Sequence, residues 1–218
     1  FYRVVGDAGK LASAVSQIFL GIRIECAQCH HHPFDRWSQR DYYGMSALFQ
    51  QVNRKGTTRG ELMLAAGDPE TKHPRTGQPI YAYPLGEPMP EKSPPGDRRG
   101  VLVNWMTSPQ NRWFASNLVN RMWAHFMGRG LIEPVDDLRA TNPASNPELL
   151  DELARHLVEA KYDLRKLIRT ITQSRVYQLA AEPNETNRLD EQNYSHANLR
   201  ALEAEVLLDA VCQVTGIE

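Results

Sequence analysis

Prolines and glycines are concentrated in the middle of this 218-residue chain, and they divide it into three regions. Residues 51–98 contain eight prolines and six glycines. Because proline lacks a backbone N–H and glycine favours turns, this composition disfavours both helices and central strands. The sequence therefore predicts a long, irregular Pro/Gly-rich connector over 51–98, between a first region at 1–50 and a second at 99–218.

Both flanking regions have the hydrophobic spacing of helices. Near the start, apolar residues recur at spacings of four, three and four, which is one stripe of a helix. They are Leu11, Val15, Ile18 and Ile22. Further helices are predicted over 41–49, over 112–127, after the N-caps Asn146 and Asp163, and over 199–214. The predicted fold class is mainly α: a helical first region, the irregular connector, and then an all-α helical unit.

The charge balance and the hydropathy give no support for a nucleic-acid partner or a membrane span. The 25 basic and 26 acidic residues give a formal net charge of −1, which gives no support for nucleic-acid binding. No stretch approaches the roughly 20 apolar residues that a membrane span needs. The chain opens on Phe1 without a signal peptide, and we interpret it as an internal piece of a longer polypeptide.

The motif that carries chemistry is C-x-x-C-H, formed by Cys26, Cys29 and His30. This pattern is typical of c-type haem attachment, in which two thiols bond the haem vinyl groups and the histidine is the proximal iron ligand. Met45, 15 residues after His30, could be the opposite axial ligand, but a core methionine is the preferred interpretation.

Two alternatives to haem fit the same residues. Cys26 and Cys29 could form a small disulfide, or they could bind zinc or another transition metal together with His30 and His32. The sequence has no second C-x-x-C and no H-x₃₋₅-H to complete a zinc-finger pattern, which counts against zinc. No catalytic residue is predicted. The polar residues Asn117, Asn120, Arg121 and His125 are interpreted as a solvated or helix-bridging face.

Two long phrases resemble a known family. FLGIRIECAQCHHHPFDRWSQRDYYGMSALF resembles the C-x-x-C-H domain of planctomycete-type secreted, cytochrome c-associated proteins, and NRMWAHFMGRGLIEPVDD resembles the helical domain that follows it. The resemblance implies that residues 1–50 are the C-terminal part of a cytochrome c-like domain and 99–218 the N-terminal part of an all-α domain of unknown function. The family pattern C-H-x-H-P-F-D gives His32 more weight than His31.

The resemblance also implies where and how such a protein works. We expect an extracytoplasmic protein, periplasmic or secreted, whose partners are a redox protein or other domains of the parent polypeptide. The leading hypothesis is haem c at Cys26, Cys29 and His30, with an electron-transfer or scaffold role linked to polysaccharide catabolism. The rivals are a non-haem metalloprotein or enzyme that uses His30 and His32 with the two cysteines, and a purely structural interaction module.

Overall fold

The computed structural model describes residues 1–2 and 4–217. The helices are α1 (Ala8–Val15), α2 (Gln39–Ala47), α3 (Arg98–Met106), α4 (Arg112–Met127), α5 (Pro147–Glu159), α6 (Leu164–Thr172) and α7 (Ala204–Thr215). The strands are β1 (Val52–Thr57), β2 (Gly60–Ala65), β3 (Thr71–Lys72) and β4 (Pro79–Ile80). A π-helical turn follows α1 at Ser16–Leu20, and a 3₁₀ turn covers Glu25–Gln28.

The predicted mainly α fold class is wrong, because the connector contains β-structure. The helices together with the π-helical and 3₁₀ turns account for 39% of the chain, and the strands for 7%. The antiparallel pair β1–β2 joins Val52 to Ala65, and the short pair β3–β4 joins Thr71 to Ile80. Each sheet has only two strands, so every strand is an edge strand, where proline and glycine are tolerated better than at a sheet centre. The connector composition excludes central strands but not these hairpins.

The first helical stripe is interrupted before the cysteine motif. Leu11, Val15 and Ile22 are buried as predicted, but Ile18 is 45% exposed. The π-helical turn Ser16–Leu20 has more residues per turn than an α-helix, and it therefore rotates Ile18 off the stripe. The turn ends at Gly21, whose φ of 66° is the left-handed conformation that favours glycine.

Two capping signals of the second region mark the starts of α5 and α6 correctly. Asn146 accepts a hydrogen bond from the backbone N–H of Leu149, and Asp163 accepts from those of Arg165 and Lys166. These bonds satisfy N–H groups that have no partner within the helix. The last helix begins later than the predicted 199–214, at Ala204, and none of its residues is buried. No helix among the described residues is both long enough and apolar enough to cross a membrane.

Two hydrophobic cores hold the chain together. The first core consists of Leu11, Ala12, Val15, Leu20, Ile22, Ile24, Ala27, Trp37, Tyr42, Met45, Ala47, Leu48, Phe49, Ala82, Leu85 and Leu102. The second core consists of Val119, Trp123, Met127, Leu131, Ile132, Leu150, Leu153, Leu157, Leu167, Ile171 and Tyr194. Because Ala82 and Leu85 lie in the connector and Leu102 lies in α3, the first core recruits residues from all three regions of the chain.

Candidate functional site

The two cysteines of the motif lie on and just after the 3₁₀ turn Glu25–Gln28. Ile24 and Ala27 are fully buried in the first core, so they anchor the turn to that core. Cys26 and Cys29 are exposed, and neither is in a disulfide. Burial of Ile24 before the first cysteine and of Ala27 between the two therefore leaves both thiols on the solvent side of an anchored turn.

The imidazole of His30 is exposed, and a local contact determines which of its nitrogens is free. Its Nδ1 lies 2.6 Å from the carbonyl oxygen of His31. Because a carbonyl oxygen can only accept a hydrogen bond, Nδ1 carries the proton in this contact. The lone pair of Nε2 is then available to a metal, as in ligands whose other ring nitrogen donates to a carbonyl.

The third histidine of the run holds the loop. The backbone N–H of His32 donates to the carbonyl of Trp37 at 2.8 Å, and its Nδ1 accepts from the backbone N–H of Phe34 at 3.3 Å. His31 is exposed.

Over the described part of the chain, no three or more His, Cys, Asp or Glu side chains converge as a metal site would require. Cys26, Cys29, His30 and His32 are therefore close together in the sequence without forming a four-ligand cluster in the described structure.

Met45 is a core residue. Its side chain is fully buried within the first core, which confirms the preferred interpretation of this methionine. It packs among apolar neighbours in α2, whereas His30 faces solvent. The thioether is therefore not presented to the exposed side of the motif.

Tryptophans that the motif does not reveal join the loop to α4. Trp37 is almost fully buried, and its ring meets that of Trp113 edge-on at 5.8 Å between centroids. The Arg36 guanidinium carbon lies 4.7 Å from the Trp37 centroid and 5.4 Å from that of Trp113, within cation–π range. Arg36 and Trp37 follow shortly after the motif, so the sequence alone indicates that they lie near it. Trp113, 76 positions later, has no local pattern that would link it to the loop.

Backbone and side-chain hydrogen bonds dock the π-helical turn onto the second region. Asn117 donates from Nδ2 to the carbonyl of Ile18 at 2.8 Å, and Leu138 donates its backbone N–H to the carbonyl of Gly21 at 2.7 Å. Arg121 adds a bond from its guanidinium to the carbonyl of Gln17 at 3.3 Å. The helix-bridging interpretation is thereby confirmed for Asn117 and Arg121. The turn that leads into the cysteine motif is held by α4 and by the loop after it.

Two protein-family profiles match the chain, one on each side of the contact between the π-helical turn and α4. The profile of PSD1, "Protein of unknown function (DUF1553)", matches residues 98–217, more than half of the chain. The chain belongs to the PSD1 family. The profile of PSCyt2, "Protein of unknown function (DUF1549)", matches residues 4–54. These matches confirm the family resemblance predicted from the sequence. Neither the curated proteins nor the solved structures contain a match to the chain.

The contact between the PSCyt2 segment (residues 4–54) and the PSD1 segment (residues 98–217) includes one strongly bonded carboxylate. Asp136 of the PSD1 segment accepts hydrogen bonds from Gln17 and Arg23 of the PSCyt2 segment. Partial burial of Asp136 opposes its ionisation, but the bonds from Gln17 and Arg23 outweigh this effect and hold its pKa below the usual value. The ionised form of Asp136 therefore stabilises the contact between the two segments.

Replacing Asp136 by Asn tests this contact. A lowered carboxyl pKa contributes stability above the unfolded-state pKa, and the contribution is lost as the pH falls through the folded-state pKa. Because Arg23 is partly exposed, we expect Asp136→Asn to lower the free energy of unfolding at pH 7 by only about 1 kcal/mol. In urea denaturation, the free energies of unfolding of the wild-type protein and of Asp136→Asn should become equal as the pH is lowered below about 4. The exposed Asp209→Asn is the control, and a pH-independent difference for Asp136→Asn would contradict the assignment.

Proposed function

We propose that this protein carries a c-type haem, bonded through the thiols of Cys26 and Cys29 with His30 as proximal ligand, and that it works in electron transfer outside the cytoplasm. The observation that carries the proposal is the exposed, unbonded pair of thiols on one anchored turn, directly followed by an exposed imidazole. A bound haem would supply one-electron redox chemistry. The extracytoplasmic location belongs to the proposal because attachment of c-type haem requires export.

The chemistry of these three residues fits the group. Each thiol is free to form a thioether bond. The two cysteines are three positions apart in the sequence, and the anchored turn leaves both on the solvent side. The proton on Nδ1 of His30 leaves Nε2 as the basic nitrogen that would bind iron. The backbone bond between His32 and Trp37 closes the loop after the motif, so its role would be to hold the position of His30.

The structure gives less support to the two rival arrangements. A zinc site needs four ligands at about 2.0–2.3 Å from one ion, and across residues 1–2 and 4–217 no such cluster of side chains forms. A structural disulfide would join Cys26 to Cys29, and both are free. The PSD1 segment would serve as the scaffold, because α4 and the loop after it hold the turn that precedes the motif. A link to polysaccharide catabolism stays a prediction from the family resemblance.

Production with an export signal in cells that mature c-type cytochromes tests the proposal. We expect the purified protein to keep its haem absorption and haem stain after denaturation, because thioether bonds survive unfolding. Cys26→Ser/Cys29→Ser should abolish this covalent haem, because neither thioether bond can form. His30→Ala should alter the spectrum of the iron by removing its proximal ligand.

The third cysteine provides a matched control. Cys212 lies in α7 outside the motif, so Cys212→Ser should keep the full haem content. Metal analysis of the same samples separates the rivals. Stoichiometric zinc or copper without haem would overturn the proposal in favour of a non-haem metal site. A wild-type protein that contains neither haem nor metal would overturn it in favour of the structural module.

A further inference from the structure

An open cleft lies beside the docked loop, between the first turn of α4, the loop after Leu138 and the start of α5. Its volume is about 290 Å³, at the lower end of the range for small-molecule sites. Leu138 and Leu150 give it an apolar wall, and Trp113 lines it from α4. None of the residues that line this cleft belongs to the cysteine motif, so the site is separate from the proposed haem attachment.

Two arginines and one acidic residue line this cleft. Arg112 and Arg139 line it, and Asp151 is the acidic residue among its lining. The guanidinium carbon of Arg112 lies 5.2 Å from the Trp113 centroid. The guanidinium of Arg36, which does not line the cleft, contacts the same ring. Among residues 1–2 and 4–217, neither Arg36 nor Arg112 has a carboxylate within ion-pair distance. Two unpaired guanidinium groups are therefore held against one indole at the cleft.

The second lining arginine is incompletely satisfied. The Nε of Arg139 is buried and donates no hydrogen bond, although it lies 3.5 Å from a carboxylate oxygen of Asp137. Its guanidinium carbon stacks 5.5 Å above the ring of Phe34, in the loop after the cysteine motif. Arginine presents five N–H donors in a fixed plane, so Arg139 keeps donors available beyond its contact with Asp137.

We propose that this cleft binds a small organic carboxylate. The carboxylate would lie at the guanidinium groups of Arg112 and Arg139, which can donate charge-assisted hydrogen bonds to it. The body of the ligand would lie against the apolar wall of Leu138 and Leu150. Asp151 opposes an anion electrostatically, so it limits affinity. The volume limits the ligand to a single ring or a short chain.

Titration calorimetry on the full chain tests the proposal with two matched pairs of probes. Benzoate is compared with benzyl alcohol, and glucuronate with glucose, so that each carboxylate has an uncharged partner of similar shape. We expect at least one carboxylate to bind with a dissociation constant of about 1 mM at low salt, and its uncharged partner to bind at least about tenfold more weakly. Binding by benzoate alone or by glucuronate alone identifies an apolar or a sugar source of the carboxylate.

Variants of the lining residues make the test specific. Arg112→Gln and Arg139→Gln should each weaken the binding about threefold to tenfold, whereas Asp151→Asn should strengthen it by removing a like charge. Arg165→Gln, on the exposed surface of α6, should leave the affinity unchanged. Circular dichroism confirms folding of each variant. The proposal is overturned if neither carboxylate binds, if the uncharged partners bind equally well, or if Arg112→Gln and Asp151→Asn leave the affinity unaltered.

Discussion

Replacing Arg98 by Ala should lower the free energy of unfolding by about 3 kcal/mol, because the change removes a buried side chain and several of its bonds at once. Arg98 is 1% exposed at the start of α3. Its guanidinium donates to the carbonyl of Ala47 at the end of α2 and forms an ion pair with Asp68 after β2. Its backbone N–H donates to the side chain of Gln51. One residue therefore joins three parts of the chain that meet at the first core.

Two further variants separate the causes of this loss. Arg98→Met keeps much of the volume but removes the charge, whose burial is itself costly, so we expect it to lose less than about 1.5 kcal/mol. The exposed Arg59→Ala, in the turn between β1 and β2, should change stability by no more than about 0.5 kcal/mol. Urea denaturation with a constant m-value measures all three. An Arg98→Ala protein as stable as Arg59→Ala would refute the joining role.

The second large effect is expected at Gly21, where the turn before the cysteine motif meets the PSD1 segment. A Cβ atom there would lie 2.5 Å from Cδ1 of Leu138 and 2.9 Å from Oδ1 of Asn117. The left-handed backbone of Gly21 costs a non-glycine residue about 1–2 kcal/mol, and overpacking typically adds about 1–3 kcal/mol. We expect Gly21→Ala to lower the free energy of unfolding by about 3 kcal/mol, measured by urea denaturation.

Gly77 provides a matched control for the backbone term. Its φ of 68° is close to that of Gly21, but a Cβ there would meet nothing within 4 Å. Gly77→Ala should therefore lower the free energy of unfolding only by the cost of the left-handed backbone, about 1 kcal/mol. The double variant Gly21→Ala/Leu138→Ala removes the main steric conflict, so its loss should be smaller than the sum of the two single losses. Equal losses for Gly21→Ala and Gly77→Ala would show that packing against Leu138 does not matter.

Local signals predicted the starts of α5 and α6 well, and the haem chemistry of the C-x-x-C-H motif stays a prediction. Asn146 and Asp163 mark helix starts through hydrogen bonds that involve only neighbouring residues. The failure at Ile18 has a different cause, because a π-helical turn keeps the hydrophobic composition of a helix while changing its period. The β1–β2 hairpin of the connector was missed because strands of six residues leave little alternation to detect.

The caps of α5 and α6, the C-x-x-C-H spacing of Cys26, Cys29 and His30, and the PSD1 family can all be read from short stretches of the amino-acid order. Each of these depends on residues that are close together along the chain. The folded chain alone reveals that Asp136 and Leu138 hold the turn before the motif, and that Arg36 and Arg112 meet at Trp113. These contacts join residues that are far apart in sequence, and the positions are set by the packing of two cores rather than by any local preference.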